Sequence, residues 1–133
     1  MNPVVLFVDD DQLILSAFIR SFNKKPVDVF TARSAEEAMG ILKRTRVDVV
    51  VTDERMKGIK GTELLLWASA YFPRTPGIVL TGQPDIPSMA RAINDARVYR
   101  YLTKPVNAED LFATIIQALK KRTSHRSIKT GIK

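Results

Sequence analysis

Two hydrophobic rhythms alternate along the chain. Short β-type runs at residues 4–8, 27–31, 47–52, 77–81 and 98–102 are separated by stretches in which apolar residues recur at helical spacing. The first, third and fourth runs are almost continuously apolar, the pattern of central parallel strands covered on both faces. The helical stripes read Leu13, Ile14, Ala17, Phe18; then Ala35, Ala38, Met39, Leu42; then Leu64, Leu65, Ala68; then Ile86, Met89, Ala90, Ile93; and finally Leu111, Phe112, Ile115, Ile116, Leu119. Start signals agree with this parse. Ser34 with Glu37 reads as a capping box, Asn107 as the cap of the last helix, and Pro87 suits a first helical turn. Strict β-α alternation predicts an α/β protein with one parallel sheet, right-handed crossovers and helices on both faces.

In such a sheet the loops after the strands leave from one edge, and ligands bind there. The residues at the strand ends therefore carry the candidate chemistry. The first strand runs into Asp9, Asp10 and Asp11, the third into Asp53, the fourth into Thr81 and Gly82, and the fifth into Lys104 and Pro105. Adjacent carboxylates at the edge of an apolar core repel one another and lose hydration, so something must compensate them. Asp11 is best read as the N-cap of the first helix. A hard divalent cation such as Mg²⁺ prefers oxygen ligands and is held by one or two carboxylates with waters, which accounts for Asp9, Asp10 and Asp53 together. A carboxylate is also a competent nucleophile toward phosphorus, and phosphoryl transfer needs chiefly positioning and charge neutralisation, for which Lys104, Thr81 and the Gly82 N–H are suited. Singly, each residue has an ordinary reading as a loop cap, a strand residue or a surface lysine. Their joint placement at the ends of successive strands is what carries the chemistry.

Composition and charge narrow the remaining classes. At 133 residues the chain has the length of one domain, and 45% hydrophobic with 26% charged residues is a soluble globular composition. No run approaches a membrane span, and the apolar run at 4–8 lacks the basic flank of a secretory signal, so a cytoplasmic protein with no membrane partner is expected. The absence of cysteine removes disulfide and thiolate chemistry and leaves oxygen ligands or His125 for a metal. The net charge of +7 is local: residues 1–119 hold 15 basic and 14 acidic side chains, and the last 14 residues hold six basic and none acidic. The parse is therefore a domain at 1–121 and a basic linker or disordered tail at 122–133, with direct nucleic-acid binding not expected. Trp67 reads as a helix residue at or near the core.

The strand-end pieces "LFVDDD", "VVTDERMKGIKG", "VLTG" and "YRYLTKP" together resemble the receiver domain of bacterial two-component response regulators, over residues 4 to about 120. The resemblance implies a (βα)5 flavodoxin-like doubly wound sheet with strand order 2-1-3-4-5. It implies phosphorylation of Asp53 by a sensor histidine kinase or phosphotransfer protein, and Mg²⁺ held by Asp10, Asp53 and the main-chain carbonyl of Arg55 with Asp9 in support. Glu54 and Gly82 are implied to bind the phosphoryl group, with Thr81 turning inward to it and Tyr101 at the coupled aromatic switch position. The Lys104–Pro105 bond is implied to be cis. Such a module is a phosphoacceptor for signalling rather than a turnover enzyme. Its output domain or downstream protein would meet the fourth helix, fifth strand and fifth helix, around Arg91, Arg97, Tyr99, Arg100 and Tyr101, and dimerisation through those helices stays open.

One departure stands out. The family's usual Met-Pro-Gly after the acceptor is here Met56, Lys57, Gly58, which restores a backbone donor and, with Arg55 and Lys60, makes the loop basic. A more mobile, anion-biased loop is the expectation. The rival readings are a phosphorylation-independent pseudo-receiver, against which Asp10, Asp53, Thr81 and Lys104 all stand present, and a Mg²⁺-dependent hydrolase, which would want a second acid where Arg55 stands.

Overall fold

The computed structural model describes residues 1–95 and 98–132, with side chains described as far as Arg122. Five strands, β1 (Val4–Val8), β2 (Asp28–Ala32), β3 (Val49–Asp53), β4 (Gly77–Thr81) and β5 (Val98–Thr103), alternate with five helices. The helices are α1 (Gln12–Phe22), α2 (Ala35–Arg44), α3 (Gly61–Tyr71), α4 (Ile86–Asp95) and α5 (Ala108–Ile132). All strand pairs are parallel and the order is β2-β1-β3-β4-β5, the expected flavodoxin-like arrangement. The stretch from 122 that was expected to be a linker or tail lies, beyond Arg122, outside the described side chains, as does His125.

The pleat sorts the strand residues into two cores, because successive side chains point to opposite faces. Leu6, Val8, Val50 and Val79 pack under α2, α3 and α4 with Ala35, Ala38, Leu42, Leu64, Leu65 and Ala68. Val5, Phe7, Val49, Val51, Ile78 and Leu80 pack under α1 and α5 with Leu15, Phe22, Leu111 and Ile115. Phe7 stacks on Phe18 at 4.5 Å and meets Phe22 edge-on at 5.1 Å, which seats α1 on the centre of the sheet. Both faces of β1, β3 and β4 are thus covered, as their continuous apolar runs required.

The helical stripes hold for α2, α3 and α5 and shift for the other two. In α1 the buried positions are Leu15 and Phe22, with Phe18 packed against them, while Leu13 is 79% exposed. Residues 15, 18 and 22 also have helical spacing, and the larger aromatic rings claim the core. In α4 only Ala92 is buried, and Ile86 (70% exposed) and Ile93 (44% exposed) face solvent. The Ser34 hydroxyl accepts from the Glu37 N–H at 3.0 Å, the N-cap half of the expected capping box, and Asn107 Oδ1 accepts from the Asp110 N–H at 2.8 Å. Trp67 is half-buried on α3 beside Tyr71 and Phe72.

At the edge of the sheet opposite the strand ends, Asp48 is a buried acid with three cations or donors on it. It accepts from the Val4 N–H at 2.7 Å and from Arg122 at 2.9 Å, with Arg46 at 3.5 Å. This ties the last helix to the start of the central strand. Among the described residues no helix is long and apolar enough to cross a membrane.

Candidate functional site

The strand register places the site. Val8 lies opposite Thr52, Asp53 opposite Leu80, and Thr81 opposite Thr103, so the residues following β1, β3, β4 and β5 emerge side by side. Carboxylate oxygens of Asp9, Asp10 and Asp53 lie within 4.8 Å of one another. Asp9 and Asp53 are buried and Asp10 is half-buried, so the cluster is set into the edge rather than waving above it. Lys104 Nζ lies 2.6 Å from Asp53 Oδ1, and its peptide bond to Pro105 is cis. A cleft of about 240 Å³ opens over Asp53, lined also by Glu54, Arg55, Thr81, Gly82, Gln83 and Lys104.

Local geometry explains why each carboxylate stays. The Asp11 carboxylate caps α1 through the Leu13 N–H at 2.9 Å and takes no part in the cluster. Asp9 accepts from the Asp11 N–H at 2.9 Å. Burial nonetheless pushes the Asp9 carboxyl above its ordinary value, with the neighbouring charges of Asp53 and Asp10 adding to the rise and the Asp11 N–H and Lys104 opposing it. One lysine does not neutralise three acids. The donor set is all oxygen, crowded and electron-rich, which fits a hard divalent cation and would be poorly served by a soft one.

The Lys57 substitution has a structural consequence. Its N–H, which proline would lack, donates to Asp10 Oδ2 at 3.1 Å and tethers the loop to the acidic cluster. The restored donor is therefore engaged, where sequence reasoning expected it to leave the loop freer. Gly58 takes φ +80° in the same loop. Gly61 opens α3 so close to the acceptor strand that a Cβ there would stand 2.3 Å from the Asp53 carbonyl oxygen.

The remaining expected residues are distributed as follows. Thr81 is buried between two clefts, and its hydroxyl accepts from the Gln83 N–H at 3.1 Å. Gly82 is exposed at the cleft wall, with room around its Cα. The Arg55 guanidinium reaches across the cleft mouth to the Gln83 side-chain oxygen. Glu54 lines the cleft, but its N–H donates to the Leu80 carbonyl at 3.0 Å and its carboxylate turns to Thr62. Tyr101 is half-buried against the core under α2–α4, and burial holds its phenol above the ordinary value, with the Glu54 charge adding to the rise. Arg97 lies outside the described residues. Thr62 and Gln83 were missed by sequence reasoning, because a threonine opening a helix and a glutamine in a loop carry no signal of their own.

A family model described as the response regulator receiver domain matches residues 5–116. The chain is 34% identical over 118 residues to the hydrogenase transcriptional regulatory protein HoxA of Cupriavidus necator, covering 89% of this chain and 24% of that protein. It is 32% identical over 120 residues to the C4-dicarboxylate transport transcriptional regulatory protein DctD of Rhizobium meliloti, covering 90% of this chain and 26% of that protein. It thus spans about a quarter of the length of these curated relatives. Among solved structures, the signal receiver domain of an HD domain-containing protein from Pseudomonas fluorescens superposes with a TM-score of 0.87 at 33% identity, covering 93% of this chain and 99% of that one. The fold, the acidic edge and these likenesses agree, and the chain belongs to the response regulator receiver domain family.

Proposed function

We propose that Asp53 accepts a phosphoryl group from a phosphohistidine of a sensor kinase or phosphotransfer protein, in a Mg²⁺-dependent reaction that switches a protein-interaction surface. The observation that carries this reading is the Asp53 carboxylate itself: buried at the end of β3, grouped with Asp9 and Asp10, and in contact with Lys104 beneath an open cleft. An Asp53 oxygen attacks phosphorus, the phosphorus–nitrogen bond of the donor breaks, and its electron pair returns to the imidazole. Lys104 keeps its positive charge beside the equatorial oxygens, and Thr81 with the Gly82 N–H offers hydrogen bonds from the opposite wall. Asp9, Asp10 and Asp53, with the Arg55 carbonyl, would hold Mg²⁺, whose charge neutralises the phosphoryl oxygens when bound. Arg55 stands where a hydrolase would want its second acid, two residues after the nucleophile, which supports a signalling role without substrate turnover.

The aspartyl phosphate adds about −1.5 to −2 charges for a phosphoryl group at neutral pH, drawing on Thr81 and Lys104. The surface that reads this change is the α4–β5–α5 face. Its exposed Ile86 and Ile93, and Tyr99 with Arg100 at 5.4 Å and Lys121 at 5.7 Å, suit a protein partner or an attached output domain. A cytoplasmic location follows from this role. Intact mass spectrometry after incubation with acetyl phosphate and Mg²⁺ tests the reading. One phosphoryl adduct is expected in the parent and none in Asp53→Asn or with chelator. No adduct, together with failure to bind beryllofluoride, would overturn it in favour of an interaction module that needs no phosphorylation.

A further inference from the structure

One polar chain joins the acceptor strand to β5 without passing through Thr81. Thr62, the second residue of α3, donates its N–H to Glu54 Oε1 at 2.7 Å. Its hydroxyl lies 2.7 and 2.8 Å from the two Glu54 carboxylate oxygens and 3.1 Å from the Tyr101 hydroxyl. Chemistry sets the direction of this chain. A carboxylate offers only acceptors, so the single Thr62 hydroxyl hydrogen goes to Glu54. The Tyr101 contact must then carry the phenolic hydrogen: Tyr101 donates to Thr62, and Thr62 donates to Glu54. Hydrogen bonds aligned head to tail polarise and strengthen one another.

The anchor of the chain is rigid. Gly61 donates its N–H to the Glu54 carbonyl at 3.1 Å, and its bare Cα lets α3 start against the Asp53 carbonyl. Glu54 and Thr62 are thus joined through main chain and side chain alike, one residue from the acceptor. Tyr101 packs against the core under α2–α4, but not on every side. A cleft of about 110 Å³, bordered by Thr81, Ser88 and Met89, lies beside its ring, so packing is incomplete on that side. On that side the Thr62 contact is what the ring meets.

We propose that Thr62 is the positioning residue of the aromatic switch in this chain, holding Tyr101 inward through the Glu54 carboxylate before any phosphoryl group is present. The inference rests on the reading of Tyr101 as that switch. It adds a route from the acceptor's neighbour to β5 that is separate from Thr81, whose hydroxyl is engaged by the Gln83 N–H. The resting protein already holds the ring inward, so phosphorylation moves Tyr101 little, and loss of Thr62 frees the ring and enlarges that response.

Fluorine NMR of protein labelled with 3-fluorotyrosine tests this, since the chain has three tyrosines and Tyr71→Phe and Tyr99→Phe assign the signals. In the resting protein, Thr62→Val is expected to move the Tyr101 resonance and raise its H₂O/D₂O isotope shift. Thr62→Ser is expected to restore the parent position, and Tyr71 to stay where it was as the reporter of an intact fold. Glu54→Gln keeps one carbonyl acceptor and is expected to give a smaller displacement in the same direction. A Tyr101 signal unmoved in Thr62→Val with Tyr71 unchanged overturns the proposal. Should Thr62→Val not fold, an unmoved Tyr101 signal in Glu54→Gln overturns it equally. Beryllofluoride with Mg²⁺ is then expected to shift Tyr101 more in Thr62→Val than in the parent, and an equal or smaller shift overturns the pre-setting. Failure of the parent to bind beryllofluoride counts against the phosphoacceptor reading alone, because the Thr62 comparison is made without it.

Discussion

Replacing Arg122 by methionine removes one partner of a buried acid and keeps the apolar volume of the side chain. Asp48 has only 6% of its side chain exposed and Arg122 21%, so the pair is poorly screened by solvent. Breaking a buried ion pair outright costs roughly 3–5 kcal/mol. Two features reduce that here: the Val4 N–H and Arg46 stay on the carboxylate, and methionine also removes the buried Arg122 Nε, which has no partner and whose burial costs about 1 kcal/mol or more. The expected loss at neutral pH is therefore about 2 kcal/mol, or about 8 °C in Tm at roughly 4 °C per kcal/mol for a domain of this size. Burial alone would raise the Asp48 carboxyl, but the Val4 N–H, Arg122 and Arg46 outweigh it and hold the group below the ordinary 3.8. A depressed carboxyl stabilises the fold above its unfolded value and loses that contribution as pH falls through the folded value. Urea unfolding at a series of pH values should thus show the gap between parent and Arg122→Met full at pH 7 and closing only below about 3.8. A neutral-pH gap under about 0.5 kcal/mol, within the range of ordinary surface substitutions, would refute the reasoning. So would a gap unchanged down to pH 3.

Gly61→Ala forces a Cβ to within 2.3 Å of the Asp53 main-chain oxygen, which cannot rotate away. It should cost about 2–3 kcal/mol by thermal unfolding and slow the acetyl phosphate reaction, since the acceptor itself is displaced. Mg²⁺ should raise Tm, with about 2.7 kcal/mol of added stability at 100 times its Kd, and Asp10→Asn should remove most of that shift. The Mg²⁺ effect should also shrink on acidification. Burial raises the Asp9 carboxyl, so its neutral form is favoured at low pH and its ionised form opposes folding as pH rises until a cation offsets it. A Tm that is insensitive to Mg²⁺ at pH 8 would count against the metal site.

Val49, Val50 and Val51 form a run that both cores can use, so β3 was readable as a central strand wherever its ends fell. The observed strand begins at Val49 rather than at 47, and β2 covers Asp28–Ala32 rather than 27–31, because pairing with β1 sets the ends. Helical spacing places Leu13 and Ile93 on apolar stripes, yet both are exposed. Periodicity marks an apolar stripe but not its phase when two stripes compete, and the aromatic rings of Phe18 and Phe22 decided it for α1.

By itself the sequence determined the β-α alternation and which residues stand at strand ends, because both follow from spacing along the chain. Asp9, Asp10, Asp53, Thr81 and Lys104 were recoverable for that reason: parallel strands must all end on the same edge. Tertiary structure alone decided what crosses between elements. The Lys57 N–H on Asp10, the Arg122 bond to Asp48 and the Tyr101–Thr62–Glu54 chain join residues 47, 74 and up to 39 positions apart. Such partners depend on interatomic distances held to within a few tenths of an ångström, roughly the spread of good hydrogen bonds, and set by packing and register. No local pattern of residue types encodes those distances.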